Sequence, residues 1–175
     1  MIAQTETQSK ENPMRAIKIE RVVLSCGATG TNLEKSEKLL TLISERKPKR
    51  IASTKRIPSF GVRPGLEVGV CVTLRGKAAE ELLKKLLVAV DNYVDGDQVS
   101  TNHFSFGIKE YIEIPGVEYQ REIGIRGLSV TVVLARPGLR VKRKKIKQGK
   151  IHKTQQIPKE EIMKYMEDNF SMEFE

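Results

Sequence analysis

Tryptophan is absent from this sequence of 175 residues, and aromatic residues make up only 5% of it. Stacking of bases on exposed rings is therefore at most a minor way for the chain to bind nucleic acid. Cysteine is also scarce, since Cys26 and Cys71 are the only two. Two cysteines so far apart exclude a disulfide framework and a Cys-x-x-Cys metal site, and we expect two buried thiols.

Histidine is equally rare, and most hydrolytic and metal chemistry depends on it. His103 and His152 are the only histidines, and neither has a partner at ligand spacing. A Gly-x-Ser-x-Gly elbow, a Walker A loop and a Rossmann fingerprint are all missing. We therefore predict no catalytic residue, no metal and no cofactor. The glycine-bearing turn at 26–31, CGATGT, is either a plain strand-to-helix connection or a contact for an RNA phosphate.

Long apolar runs are missing as well. The first 14 residues are polar, which argues against a secretory signal, and no run reaches the roughly 18 apolar residues of a membrane span. We expect a soluble, intracellular protein with no membrane partner. Hydrophobic residues still make up 39% of the chain, which disfavours disorder of the whole chain and suits one compact domain.

The positive charge is concentrated in two segments. Lys and Arg number 31 against 22 Asp and Glu, for a net charge of +9. Residues 45–63 hold seven basic residues and one acidic residue, and residues 136–153 hold nine basic residues and none that is acidic. Such clustering favours a polyanionic partner, most commonly nucleic acid, over a charge that serves solubility alone. Each segment is either a phosphate-contacting arm or a solvated loop.

Hydrophobic periodicity predicts an α+β fold. Alternating apolar residues indicate strands at 15–24, 68–74 and 128–134, the first with a possible bulge, and a short polar strand is expected at 51–57. Helical spacing indicates helices from Thr31 to about residue 43, over 77–90 and over about 158–170, while 91–103 is expected to be a polar loop. Thr31 and Glu34 have the spacing of a capping box.

These elements assemble into one predicted architecture. We expect a single antiparallel sheet with helices packed on one face, a protruding hairpin loop, and a basic C-terminal arm followed by a terminal helix. The predicted organisation is a polar N-terminal tail at 1–13 and one domain at 14–175 that includes the basic segment 136–153.

Several ordered motifs resemble one known family. They are NPMRAIKIERVVLSCG, KPKRIASTKRIPSFGVRPG, VTLRG, NHFSFGIKEYIEIPGV, GIRGLSVTVVLARPG and HKTQQIPKEEIMKYMEDNF, and they extend from about Asn12 to Phe174. Their order and spacing resemble the universal large-subunit ribosomal proteins that bind 5S rRNA, the L five family of bacterial naming. The segment ARPGLRVKRKKIKQGKIHK resembles the archaeal and eukaryotic branch.

The resemblance implies a structural, non-enzymatic role in the central protuberance of the cytoplasmic ribosome. Expected partners are 5S rRNA, large-subunit rRNA, P-site tRNA, a neighbouring large-subunit protein that binds 5S rRNA, and a protein of the small-subunit head. Together with the basic residues of segment 45–63, the resemblance places the 5S rRNA contact at Ser25, Arg46, Lys47, Lys49, Lys55, Arg56, Thr73 and Arg75. Ser25 and Arg46 depart from the family pattern, which has Asn and Gln at these positions.

Two more surfaces follow from the resemblance and the charge. The tRNA-facing loop is expected at Gly61, Val62, Arg63, Pro64 and Gly65. A further rRNA contact is expected at Arg136, Arg140, Lys142, Arg143, Lys144 and Lys145. Two rival hypotheses come from other features: a nucleotide-using or RNA-modifying enzyme, from the CGATGT turn, and a module for acidic lipid or DNA, from the charge alone.

Overall fold

The structure, a computed structural model, describes residues 12–174. Most of the predicted N-terminal tail at 1–13 therefore lies outside the described residues. The strands are β1 Lys18–Gly27, β2 Lys49–Ala52, β3 Glu67–Leu74, β4 Tyr93–Val94, β5 Val99–Ser100, β6 His103–Ile108, β7 Leu128–Ala135 and β8 Glu173–Phe174. The α-helices are α1 Thr31–Ser44, α2 Lys77–Val88, α3 Arg140–Arg143 and α4 Lys159–Phe170.

Six of these strands form one antiparallel sheet in the order β2-β3-β1-β7-β6-β5. The two central neighbours, β1 and β7, are far apart in the sequence, whereas β2 and β3 form a hairpin. The register of β1 against β7 shifts between Ile19 and Arg21, which confirms the expected bulge. The α+β class with one antiparallel sheet is confirmed.

Period-two alternation gives the sheet one buried and one accessible face. In β7, Leu128, Val130, Val132 and Leu134 are buried, and the residues between them are not. The buried side chains of β1, β3, β6 and β7 form one cluster with apolar residues of α1, α2 and α4. Helices α1, α2 and α4 therefore cover one face of the sheet, as predicted, and leave most of the other face accessible.

Several local predictions need correction. The short strand lies at 49–52 and not at 51–57, because residues 53–57 already belong to the loop that leads to β3. The expected polar loop at 91–103 contains two short strands, and β4 pairs with β8 after the terminal helix. A strand of two residues is too short to show an alternating hydrophobic pattern, so periodicity could not indicate β4 or β5.

The N-terminus of α1 is where it was predicted, but its cap is different. Gly30 occupies the N-cap position with φ 60°, and no side chain caps the helix. Thr31 is already the first helical residue, so it cannot serve as the N-cap of a capping box. Glu34 instead lies in the first turn, where a carboxylate interacts favourably with the helix dipole.

Candidate nucleic-acid interface

The accessible face of the sheet is a polar surface, which we call the open face. Ser25 of β1 lies opposite Cys71 of β3 on one side and Ser129 of β7 on the other. A second row, two residues along, contains Thr73 and Thr131. The open face consists of Arg21, Val23, Ser25, Lys49, Ile51, Cys71, Thr73, His103, Ser105, Gly107, Ser129, Thr131 and Val133.

Small side chains dominate the centre of the open face. Ser, Thr and Gly leave the backbone close to the surface, and hydroxyl groups are common donors to phosphate oxygens. Ser105 and Ser129 are exposed, while Ser25, Thr73 and Thr131 are half-buried. The centre of the open face therefore presents hydroxyl groups at an accessible surface.

The two cysteines lie on opposite sides of the sheet. Cys26 is buried on the helical side, with its Sγ 3.5 Å from the carbonyl oxygen of Gly127. Burial raises the pKa of the Cys26 thiol to about 11. Cys71 belongs to the open face and is only half-buried. The expectation of two buried thiols is right for Cys26 and wrong for Cys71, because adjacent strands present these positions to different faces.

Arg46 and Lys47 form an exposed turn at the border of the open face, which we call the basic turn. The turn follows Glu45, which ends α1 in the left-handed conformation with φ 52°. The backbone N–H of Arg46 donates to Ser44 Oγ at 3.4 Å, and Pro48 is buried. The backbone of the turn is thus anchored while both cationic side chains reach solvent.

Strand β2 separates two neighbouring cations. Lys49 lies on the open face opposite Cys71 and forms no ion pair with another residue in the described range. Arg50 points to the other side, where its guanidinium lies 2.7 Å from Glu37 and 3.0 Å from Glu67. These carboxylates raise the pKa of Arg50. Lys49 is therefore available to an external anion, whereas Arg50 is neutralised within the protein.

The loop from residue 53 to residue 66, called here the β2–β3 loop, has a defined backbone. Ile57 and Val62 form a β-bridge, and Gly61 and Gly65 have φ values of 65° and 85° that favour glycine. Val62 is 7% exposed, whereas Phe60 is 78% exposed. Val62 thus holds the shape of the loop from inside. The other residues of the predicted tRNA-facing tip, namely Gly61, Arg63, Pro64 and Gly65, are exposed.

The structure brings several of the predicted 5S rRNA contacts together on the open face and places the others outside it. Ser25, Lys49 and Thr73 share the open face, and the basic turn lies at its border. Arg75 is exposed directly after β3. Lys55 and Arg56 are exposed in the β2–β3 loop, beyond the end of β2.

The basic segment 136–153 folds back on the rest of the protein. Arg136 forms an ion pair with Glu161, and only 14% of its side chain is exposed. Arg143 forms an ion pair with Glu20 at the start of β1. The remaining predicted contacts are exposed and have no ion pair within 12–174; they are Arg140, Lys142, Lys144 and Lys145.

Sequence reasoning missed most of the open face. Arg21, His103, Ser105, Ser129 and Thr131 were not among the predicted contacts, although the structure places them beside Ser25 and Thr73. The alternation that marked Leu128 to Leu134 as buried could have indicated Ser129 and Thr131 as their outward neighbours.

Metal sites and membrane spans have their own geometric requirements. Across residues 12–174, no group of three His, Cys, Asp or Glu side chains is arranged to hold a metal ion. In the same range, no helix combines the length and the apolar character needed to cross a membrane. The CGATGT turn continues β1 and ends at the Gly30 cap of α1.

Comparisons with known proteins agree with the resemblance along nearly the whole chain. The family described as "Ribosomal protein L5" matches residues 12–63, and the family of the C-terminal part of the same ribosomal protein matches residues 67–165. The large ribosomal subunit protein uL5 of Nanoarchaeum equitans is 42% identical over 166 residues, which cover 93% of this chain and 98% of that protein. That of Sulfurisphaera tokodaii is 41% identical over 171 residues, covering 95% and 96%.

A third relative, the large ribosomal subunit protein uL5 of Archaeoglobus fulgidus, is 36% identical over 159 residues, covering 90% of this chain and 89% of that protein. All three organisms are archaea, in agreement with the branch that the basic segment suggested. Since these relatives are structural proteins of the ribosome, the rival hypothesis of an enzyme is wrong. The chain therefore belongs to the uL5 family of large-subunit ribosomal proteins, which function in the cytoplasm as part of the ribosome.

Proposed function

We propose that the chain binds 5S rRNA through the open face and the basic turn. One observation carries the proposal: Ser25, Lys49 and Thr73 come from three separate strands and lie on one accessible polar surface. Lys49 and the basic turn supply cations that no carboxylate in the described range neutralises. Cations at the border hold phosphates by charge, and hydroxyls within the face add directional hydrogen bonds.

We further propose that the β2–β3 loop faces P-site tRNA. Residues 46–66 contain no acidic residue, and Arg56 and Arg63 are exposed within the loop. The bridge between Ile57 and Val62 fixes the shape of the tip, which lowers the entropic cost of a contact. We also propose three further contacts. Two are with proteins: a protein of the small-subunit head and a neighbouring large-subunit protein that binds 5S rRNA. The third is between the basic segment and large-subunit rRNA.

The two cysteines allow a direct test of the 5S rRNA surface. In the free protein, we expect a maleimide to modify Cys71 readily and Cys26 slowly, because Cys26 is buried and its pKa of about 11 leaves almost no thiolate at neutral pH. Bound 5S rRNA should slow modification of Cys71 at least about tenfold. Peptide mass spectrometry after a timed reaction would measure both rates.

Cys26 is the internal control in this experiment, since its slow rate should not change when RNA is added. Duplex DNA at the same phosphate concentration is the second control and should protect Cys71 much less. If 5S rRNA binds while Cys71 stays fully reactive, the RNA does not lie on the open face. If DNA protects equally, the surface is a general polyanion site.

The β2–β3 loop can be tested separately through Arg63. The substitution Arg63→Glu should leave affinity for isolated 5S rRNA within about twofold, because this residue lies in the loop and away from the open face. Loss of one charged contact should weaken P-site tRNA binding to ribosomes that carry the variant by roughly tenfold. Filter binding would measure the affinity for P-site tRNA. A comparable loss of affinity for 5S rRNA would contradict the proposal that the β2–β3 loop faces tRNA.

A further inference from the structure

A cavity of about 680 Å³ lies between one end of the open face and the basic segment. Arg21 and Val133, which are register partners on the open face, form part of its wall, and Lys142 and Lys150 of the basic segment form another part. Its volume falls within the roughly 300–1,000 Å³ of pockets that bind small molecules. One nucleotide fits such a space, whereas a base-paired helix is too large.

The charges around the cavity are not balanced. Glu20 is the one acidic residue in its described wall, and it already forms an ion pair with Arg143. Arg21, Lys142 and Lys150 have no ion pair with any residue from 12 to 174. Like charges around one space repel each other, and an anion between them lowers their energy. A phosphate group provides that anion.

The wall also carries unsatisfied hydrogen-bonding groups. The Nε atoms of Arg21 and Arg136 are buried and have no hydrogen-bond partner in the structure. Because these atoms are buried, a bound group cannot reach them, and its directional contacts fall to other polar groups of the wall. The carboxamides of Gln155 and Gln156 also line the cavity, and such groups can recognise the edge of a base. The apolar part of the wall is formed by Val133, Leu134, Leu139 and Ile151.

We infer that this cavity receives one unpaired nucleotide of a single-stranded RNA segment. Its phosphate lies among Arg21, Lys142 and Lys150, and its base lies between the apolar wall and the two glutamines. The inference rests on the proposed contact between the basic segment and rRNA, and gives that contact a specific form. Only single-stranded RNA can turn a base out of its stack at little cost, which is why a strand is expected and a duplex is not.

RNA binding in the cavity can be tested on the full chain with a fluorescent adenosine pentanucleotide as the probe. We expect the double variant Lys142→Glu and Lys150→Glu to weaken its binding at least about tenfold. The matched control is Lys147→Glu with Lys153→Glu, which makes the same charge change in the same segment at exposed residues that do not line the cavity. The control should lose at most about threefold, and circular dichroism should show that both variants are folded.

Competition identifies what occupies the cavity. Adenosine 5′-monophosphate should displace the pentanucleotide at least tenfold more effectively than ribose 5-phosphate, and a short RNA duplex should displace it poorly. Equal losses in the two double variants would overturn the cavity while leaving the basic segment as an RNA contact. No loss in either variant would overturn the contact itself. Tighter binding of the mononucleotide than of the pentanucleotide would overturn an RNA strand as the source.

Discussion

Reversing the charges of Lys47 and Lys49 together is expected to weaken binding of 5S rRNA by about a hundredfold at physiological salt. Both cations are exposed and free of ion pairs within the described chain, one in the basic turn and one on the open face. A hydrogen bond that involves a charged group contributes about 1.5–3 kcal/mol, or at least tenfold in affinity for each contact. The substitutions are Lys47→Glu and Lys49→Glu.

The salt dependence of the same variant distinguishes phosphate contacts from an indirect effect. Each phosphate contact contributes about 0.7–0.9 to the slope of log affinity against log salt. Removal of two contacts should therefore flatten the slope by roughly 1.4–1.8. Fluorescence anisotropy with labelled 5S rRNA at several salt concentrations would measure both quantities.

A matched charge reversal on the helical layer provides the control. Lys84 of α2 and Lys164 of α4 are exposed and lie on helices that cover the other face of the sheet. The variant Lys84→Glu with Lys164→Glu has the same net charge as the test variant, so it reports the effect of overall charge. If both variants lose the same affinity, the RNA is held by the general field of the protein and not by the open face.

Gly127→Ala is expected to destabilise the folded protein by about 2–3 kcal/mol, a typical cost of overpacking against atoms that cannot move. A Cβ at this position would lie 2.8 Å from the carbonyl oxygens of Ile108 and Lys109. Both atoms belong to the backbone at the end of β6, where Ile108 is paired with Leu128 of β7. Relief of the clash would separate the two strands.

Thermal unfolding followed by circular dichroism measures this loss. For a chain of this size, 1 kcal/mol corresponds to roughly 2–4 °C in Tm, so a decrease of about 5–10 °C is expected. Gly107→Ala is the matched control, because a Cβ there has no neighbour within 4 Å and Gly107 lies on the adjacent strand. An unchanged Tm for Gly127→Ala would show that the end of β6 is free to shift.

Local sequence patterns predicted the elements that are long and amphipathic. The alternation of Val68, Val70, Val72 and Leu74 and the stripe of leucines in α2 led to the observed strand and helix. These predictions succeed because burial of one face repeats with the period of the element itself. The two-residue strands β4 and β5 are too short for such a period, so the same reasoning treated their segment as a loop.

Charge patterns predicted where cations are concentrated but not which of them are free. Arg50 and Arg136 belong to strongly basic stretches, yet each is paired with glutamate from a distant part of the chain. Lys49 and Lys142 come from the same stretches and have no such partner in the described range. The difference depends on which side of a strand or loop each residue faces after folding.

The sequence by itself determined the family, the fold class, the low aromatic content and the two concentrations of positive charge. These properties depend on residue identity and short-range order, and folding does not change them. Only the tertiary structure decided which polar residues meet on one surface. Ser25 and Ser129 become neighbours because β1 pairs with β7, a contact between segments distant in the sequence. Such pairing is set by the cooperative packing of the whole core, which no local pattern encodes.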